Sequence, residues 1–215
     1  MKSLTASTAA LVLALAVSAA AAARPPNFVI ILADDLGWGD LSCQGSTTIA
    51  TPRLDRLAQE GLRFTDAYSA APFCSPSRAA LLTGRLPVRA GLPYVLFPAE
   101  HHGLPSAEVT LATLLKARGY ATGGFGKWGC GGRDSTGVPE KHGFDVFFGY
   151  YDQVHAHTYY PPYLIRNSEE VKLEGNNGGT AGKTYSHYVI HQEALKFIRE
   201  HAKQPFFAYL AYTPP

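Results

Sequence analysis

The stretch at residues 74–85 reads Cys-Ser-Pro-Ser-Arg-Ala-Ala-Leu-Leu-Thr-Gly-Arg. Cys74 lies two residues before Pro76 and four before Arg78, and the segment then runs into an apolar, helix-like stretch. A helix N-terminus and a guanidinium both favour bound anions and activate a thiol. The chemistry this spacing points to is work on a negatively charged substrate; a lone cysteine is otherwise an inert buried thiol. A second pair of reactive types, Asp34 and Asp35, directly follows the apolar run Phe28 to Ala33. Adjacent carboxylates repel, so one takes a proton or a cation sits between them. Hard divalent ions answer that need, calcium first and magnesium second. The competing reading of this pair is a solvated turn before Gly37. Lys127 follows the stretch Tyr120 to Phe125, where the bland alternative is a solvated loop lysine.

Taken together, Cys74-Ser75-Pro76-Ser77-Arg78 and Leu82-Thr83-Gly84-Arg85 resemble the signature of the type I sulfatases. The likeness continues through Pro26 to Gly37, Thr51 to Asp55, Arg63 to Tyr68 and Gly126-Lys127-Trp128, and covers nearly all of residues 26–215. Within the family it is strongest to the arylsulfatase A and N-acetylgalactosamine-6-sulfatase group. The resemblance implies an α/β fold, a sheet flanked by helices as in the alkaline phosphatase superfamily. It implies that Cys74 is oxidised to formylglycine by a formylglycine-generating enzyme, and that the hydrated aldehyde attacks the sulfur of a sulfate ester. Arg78 would then stabilise the hydrate and Lys127 would contact the sulfate. Asp34, Asp35 and residue 74 would hold the cation, Ca2+ or alternatively Mg2+. The implied partner is a small sulfate ester or a sulfated glycan. A phosphodiester or phosphonate ester hydrolase of the same superfamily is the alternative among enzymes. A truncated, non-catalytic fragment that binds sulfated glycans is the alternative outside them.

Two departures from the family pattern stand out. Many relatives read Gly-Lys-Trp-His-Leu-Gly where this chain has Gly126-Lys127-Trp128-Gly129-Cys130-Gly131. The histidine that assists breakdown of the intermediate is thus replaced by Gly129. His155 and His157 are candidate substitutes, since an imidazole serves as a base near neutral pH; the alternative is two ordinary polar loop residues among aromatics. Family members also continue past the equivalent of Pro215 with further metal ligands, so residues 24–215 are expected to be the N-terminal portion of a catalytic domain.

The N-terminus has the marks of a secretory signal: Lys2, a short apolar core from Leu11 to Val17, and small residues from Ala19 to Ala23. That core is too short to cross a bilayer, so residues 1–23 are expected to be cleaved and the product secreted or periplasmic. The formal charge of +2 would fall by one with Lys2. A near-neutral chain without a basic arm is unlike a nucleic-acid binder, and no later segment is long and apolar enough to span a membrane. Three cysteines make no disulfide framework. Cys43 and Cys130 read as small buried apolar residues, with a bridge between them left open.

The elements that must position these groups follow from periodicity. Phe28 to Ala33 predicts a buried strand. Thr51 as cap, Pro52 at the first position and Gly61 as stop predict a helix. Leu62 to Ala67 alternates and predicts a strand. A helix is expected from Pro76 to Leu82, stopped by Gly84. Thr110 to Arg118 and Tyr185 to His201 are amphipathic and predict two more helices. Tyr120 to Phe125 and Phe206 to Leu210 predict strands. Residues 131–143 and 167–182 are expected to be loops. Strands alternating with helices indicate a sheet covered on both faces.

Overall fold

The computed structural model describes residues 24–98 and 100–215, so the expected signal segment, 1–23, lies outside the described residues. Six strands form one sheet in the order β1-β6-β2-β3-β4-β5. These are β1 (Phe28–Ala33), β2 (Ala121–Lys127), β3 (Val146–Tyr150), β4 (Tyr163–Arg166), β5 (Glu169–Lys172) and β6 (Phe206–Tyr212). The first four in spatial order, β1, β6, β2 and β3, run parallel. A β4–β5 hairpin then adds antiparallel to β3. Among the described residues five α-helices accompany them: α1 (Pro52–Glu60), α2 (Cys74–Thr83), α3 (Leu111–Lys116), α4 (Gln153–Ala156) and α5 (Ser186–Glu200).

Alternation along β6 explains the three layers. Phe207, Tyr209 and Ala211 face a core shared with Ala79 and Leu82 of α2, Trp128, Phe144 and Phe147. Phe206, Ala208 and Leu210 face Ile190, Ala194 and Phe197 of α5. The period of two along the strand splits its side chains between a helix layer on each face.

Several expectations need correction. The stretch Leu62 to Ala67 forms no strand. Leu62 and Phe64 are exposed there, because alternation supplies no hydrogen-bonding partner of its own. The strand Phe28–Ala33 exists but is not buried: it is the edge of the described sheet, and Phe28, Val29 and Ile31 are exposed. Helix α2 starts at Cys74, two residues earlier than expected. Pro76 is compatible with that start because the first four amides of a helix have no intrahelical partner. Thr51 precedes α1 without capping it; its hydroxyl bonds Ser42 Oγ at 2.8 Å and Asp55 Oδ1 at 3.0 Å instead. The stretch expected as a loop at 167–182 contains β5. All three cysteines are free; Cys130 is buried, whereas Cys43 is only half-buried.

Strands β2 and β3 approach unusually closely beside Lys127. Gly126 and Gly149 are register partners. A Cβ on Gly149 would stand 1.9 Å from the carbonyl oxygen of Gly126. Backbone cannot yield that distance cheaply, so Gly149→Ala is expected to destabilise the fold by about 3–5 kcal/mol, the range of severe core substitutions. Denaturant titration of the variant checks this; an unchanged midpoint would show that the strands separate freely.

Candidate active site

Both groups of reactive residues sit at the carboxyl ends of parallel strands, the edge at which open α/β sheets bind ligands. Asp34 follows β1, and Lys127 is the last residue of β2. Between those strands lies β6, with Tyr209 pointing to the same face as α2. Cys74 is the first residue of α2, and Arg78 is one turn further along. Helix geometry places residues i and i+4 on one face, so Arg78 is brought beneath the helix start.

The side chains meet in one charged cluster. Lys127 Nζ lies 2.5 Å from Asp34 Oδ2, 3.3 Å from Cys74 Sγ and 3.4 Å from His157 Nε2. Arg78 donates from one terminal nitrogen to Asp34 Oδ1 at 2.7 Å, and from the other to the Lys127 carbonyl at 2.5 Å. Arg78 and Lys127 are 1 % and 0 % exposed, so neither is a surface cation. Two buried cations need a counter-charge, and Asp34 supplies it to both. Burial by itself would raise the Asp34 carboxyl; Arg78 first and Lys127 second outweigh this and hold it below the usual carboxylate value. Burial likewise pushes the Tyr209 phenol up to about 12, so it stays neutral beside Arg78.

Cys74, Arg78, Asp34 and Asp35 line one cavity of about 320 Å³. Asp35 has φ +57°, the left-handed region, in which a non-glycine residue is uncommon. The donor set suits a hard cation in kind, two carboxylates beside residue 74, but falls short in number. Among the described residues no three His, Cys, Asp or Glu side chains cluster as a metal group. Both Asp34 oxygens already pair with cations, so a bound ion would have to share them.

The two candidate histidines separate. His157 is in the cluster through Lys127. His155 turns away: its Nε2 lies 2.9 Å from the Tyr163 carbonyl, its ring packs on Tyr150 and Tyr163, and burial lowers its pKa. It lines a separate cavity of about 350 Å³ with Gly129, Arg133, Tyr151 and Tyr163. Gln153 was not singled out by any sequence signal. It is buried against Ser75 and Gly129, its amide nitrogen 3.0 Å from Ser75 Oγ. Only the spatial meeting of residues 75, 129 and 153 reveals it.

A cysteine at a helix start and two buried cations thus meet at the carboxyl edge of an α/β sheet with helices on both faces. The Sulfatase family model matches residues 26–215, and the chain belongs to that family. It is 57 % identical to human arylsulfatase A over 141 residues, which are 65 % of this chain and 28 % of that protein. It is 41 % identical to rat N-acetylgalactosamine-6-sulfatase over 221 residues, 92 % of this chain and 41 % of that protein. The crystal structure of Ps i-CgsB superposes with a TM-score of 0.79 at 35 % identity, covering 89 % of this chain and 46 % of that one. The fold is thus the mixed α/β, alkaline-phosphatase-like fold of the sulfatases, and the chain spans less than half the length of each of these relatives. No helix among the described residues is long and apolar enough to cross a membrane.

Proposed function

We propose that residues 24–215 are the N-terminal portion of the catalytic domain of a secreted or periplasmic sulfatase that hydrolyses sulfate monoesters. The observation that carries this reading is the meeting of three sequence-distant motifs at one ammonium group. Lys127 Nζ reaches both Asp34 and Cys74, in a chain of the sulfatase family. The substrate class is a sulfated carbohydrate or an aryl sulfate, the classes named in N-acetylgalactosamine-6-sulfatase and arylsulfatase A. Ps i-CgsB, also similar, has been solved with a neocarrahexaose.

Oxidised to formylglycine by a maturing enzyme, residue 74 would supply a hydrated aldehyde: one hydroxyl would bond to sulfur as the substrate's alcohol leaves, and loss of the other's proton would re-form the aldehyde, breaking the C–O bond to sulfate. The chain's own residues prepare the place for it. Lys127 puts a fixed positive charge 3.3 Å from the side chain of residue 74, where the transferring group gathers negative charge. Arg78 holds the Lys127 carbonyl and Asp34 together, so the ammonium cannot swing away. Burial keeps water from screening either cation. A divalent cation, calcium or magnesium, would be held by Asp34, Asp35 and residue 74, with further ligands from outside the described residues, and would add positive charge facing the sulfate oxygens. His157, with its ring nitrogen beside Lys127, is the base we assign for proton transfer.

Mass spectrometry of the peptide containing Cys74 tests the reading, using a version that continues past residue 215, made in a host that carries the maturing enzyme. An aldehyde at residue 74, with turnover of sulfate monoesters faster than of phosphate mono- and diesters, is expected. An unmodified thiol without sulfate turnover would overturn it, and faster phosphodiester turnover would move the assignment to that class. His157→Ala is expected to lower kcat by about 10²-fold, the usual contribution of a general base. His155→Ala should leave kcat nearly unchanged, because its ring is tied to Tyr163. Steady-state kinetics of the two variants decide, and near wild-type turnover in His157→Ala would remove that histidine from the mechanism.

A further inference from the structure

Residues 129 and 153 compete for one volume. Gly129 has φ +74°, and a Cβ on it would stand 2.2 Å from Gln153 Nε2 and 3.2 Å from Arg78 Cδ. Gln153 opens α4 and is 5 % exposed. Its Nε2 donates to Ser75 Oγ at 3.0 Å and, at 3.4 Å, to the Gly129 carbonyl. That carbonyl fixes which way the amide faces, since turning it over would set two oxygens against each other. Ser75 is fully buried, directly follows Cys74, and also accepts from the Leu96 amide at 3.0 Å. Among the described residues Gln153 Oε1 has no hydrogen-bond partner. An unpaired buried carbonyl is unfavourable, so the amide's place is dictated by the bonds its nitrogen makes.

We propose that Gln153 is a positioning residue for residue 74. Its amide fixes Ser75, and through it the first turn of α2, so that the side chain of residue 74 faces Lys127. Gly129 belongs to the same device, because only a residue without a side chain leaves room for that amide. The group at this corner of the site is a carboxamide, which neither gains nor loses a proton in the working pH range. It therefore orients the reacting residue and leaves proton transfer to another group. The inference rests on the reading of residue 74 as the reacting residue; the coupling between 129 and 153 does not.

The test combines a double-mutant cycle with a chemical probe of residue 74. Gly129→Ala, Gln153→Ala and the double variant are compared for stability by denaturant unfolding. Gly129→Ala is expected to be clearly more harmful with Gln153 present than with alanine at 153, a non-additive result. Gln153→Met keeps the volume and removes the hydrogen bonds. In matured protein it is expected to lower kcat about tenfold while KM changes less than about threefold, the mark of lost orientation rather than lost binding. In protein made without maturation, iodoacetamide labelling of Cys74, followed on its peptide by mass spectrometry, should change in rate by about threefold or more as the thiol is re-aimed. An additive cycle, or Gln153→Met with unchanged kcat and unchanged labelling, would overturn the proposal. Should the wild-type protein, in the version that continues past residue 215, show no sulfate turnover, the function assigned above fails, while the cycle and the labelling still decide this one.

Discussion

Cys74→Ala is expected to reduce sulfate ester turnover by about 10⁴-fold or more, the scale on which removal of a covalent nucleophile acts. The fold should barely notice. The side chain is half-buried and its one polar contact among the described residues is with Lys127, so the change in stability is expected to stay within about 1 kcal/mol. Loss of activity with an intact unfolding transition separates a chemical role from a structural one. A chromogenic aryl sulfate and a parallel denaturant titration supply both readings. Retention of even a tenth of the wild-type rate would place the nucleophile elsewhere in the molecule.

Arg78→Ala should do the opposite to stability. Removing the guanidinium leaves the Asp34 carboxylate with Lys127 alone and deprives the Lys127 carbonyl and the Tyr209 hydroxyl of a shared partner. Breaking a buried ion pair from one side costs about 3–5 kcal/mol, so unfolding at lower denaturant is expected along with loss of turnover. Arg78→Lys is not a rescue, because a single ammonium cannot span Asp34 Oδ1 and the Lys127 carbonyl as the planar guanidinium does. The pH dependence has a definite sign. Burial alone would raise the Asp34 carboxyl, but Arg78 and then Lys127 bring it below its unfolded value. Asp34 therefore contributes stability that is fully present above the unfolded carboxylate value of about 3.9 and is lost as pH falls through the lower folded value. With Arg78 gone, burial remains and the larger opposing charge is absent, so acid unfolding should begin at a higher pH than in the wild type. Unfolding midpoints followed from neutral to acid pH measure this, and an acid limb that does not move would mean Asp34 is held by Lys127 alone.

Local chemistry was legible in the sequence, and relations between distant segments were not. Cys74 and Arg78 stood out by type and spacing and Asp34 and Asp35 as an adjacent pair, whereas Lys127 was marked only by the family resemblance; all five lie at the carboxyl edge of the sheet. Their burial was invisible: Lys127 reads as a loop lysine until β2 is seen to run through it. Strands β4 and β5 escaped notice because the residues joining them, Asn167 and Ser168, lack the Asn-Gly pair that marks a two-residue hairpin, although both adopt positive φ. The stretch Leu62 to Ala67 misled for the converse reason, having the alternation of a strand and no neighbour to pair with. Gly129 looked like a loss, and only the position of the Gln153 amide shows what occupies its space.

The spatial order of the sheet also bears on timing. The last of the described strands, β6, lies between the first two, β1 and β2. Among the described strands β1 pairs only with β6, so before residues 206–212 arrive Asp34 and Lys127 lack the strand that lies between theirs. At a synthesis rate of about 5–20 residues per second, the interval between the appearance of Cys74 and that of β6 is roughly 7–26 s. During it the cysteine motif is an unsealed segment of nascent chain. Once β6 is in place, Arg78 and Lys127 are buried and both pair with Asp34, while Cys74 stays half-buried. On the function proposed above, a maturing enzyme would find Cys74 most open before β6 inserts, and slowing that insertion would widen its opportunity.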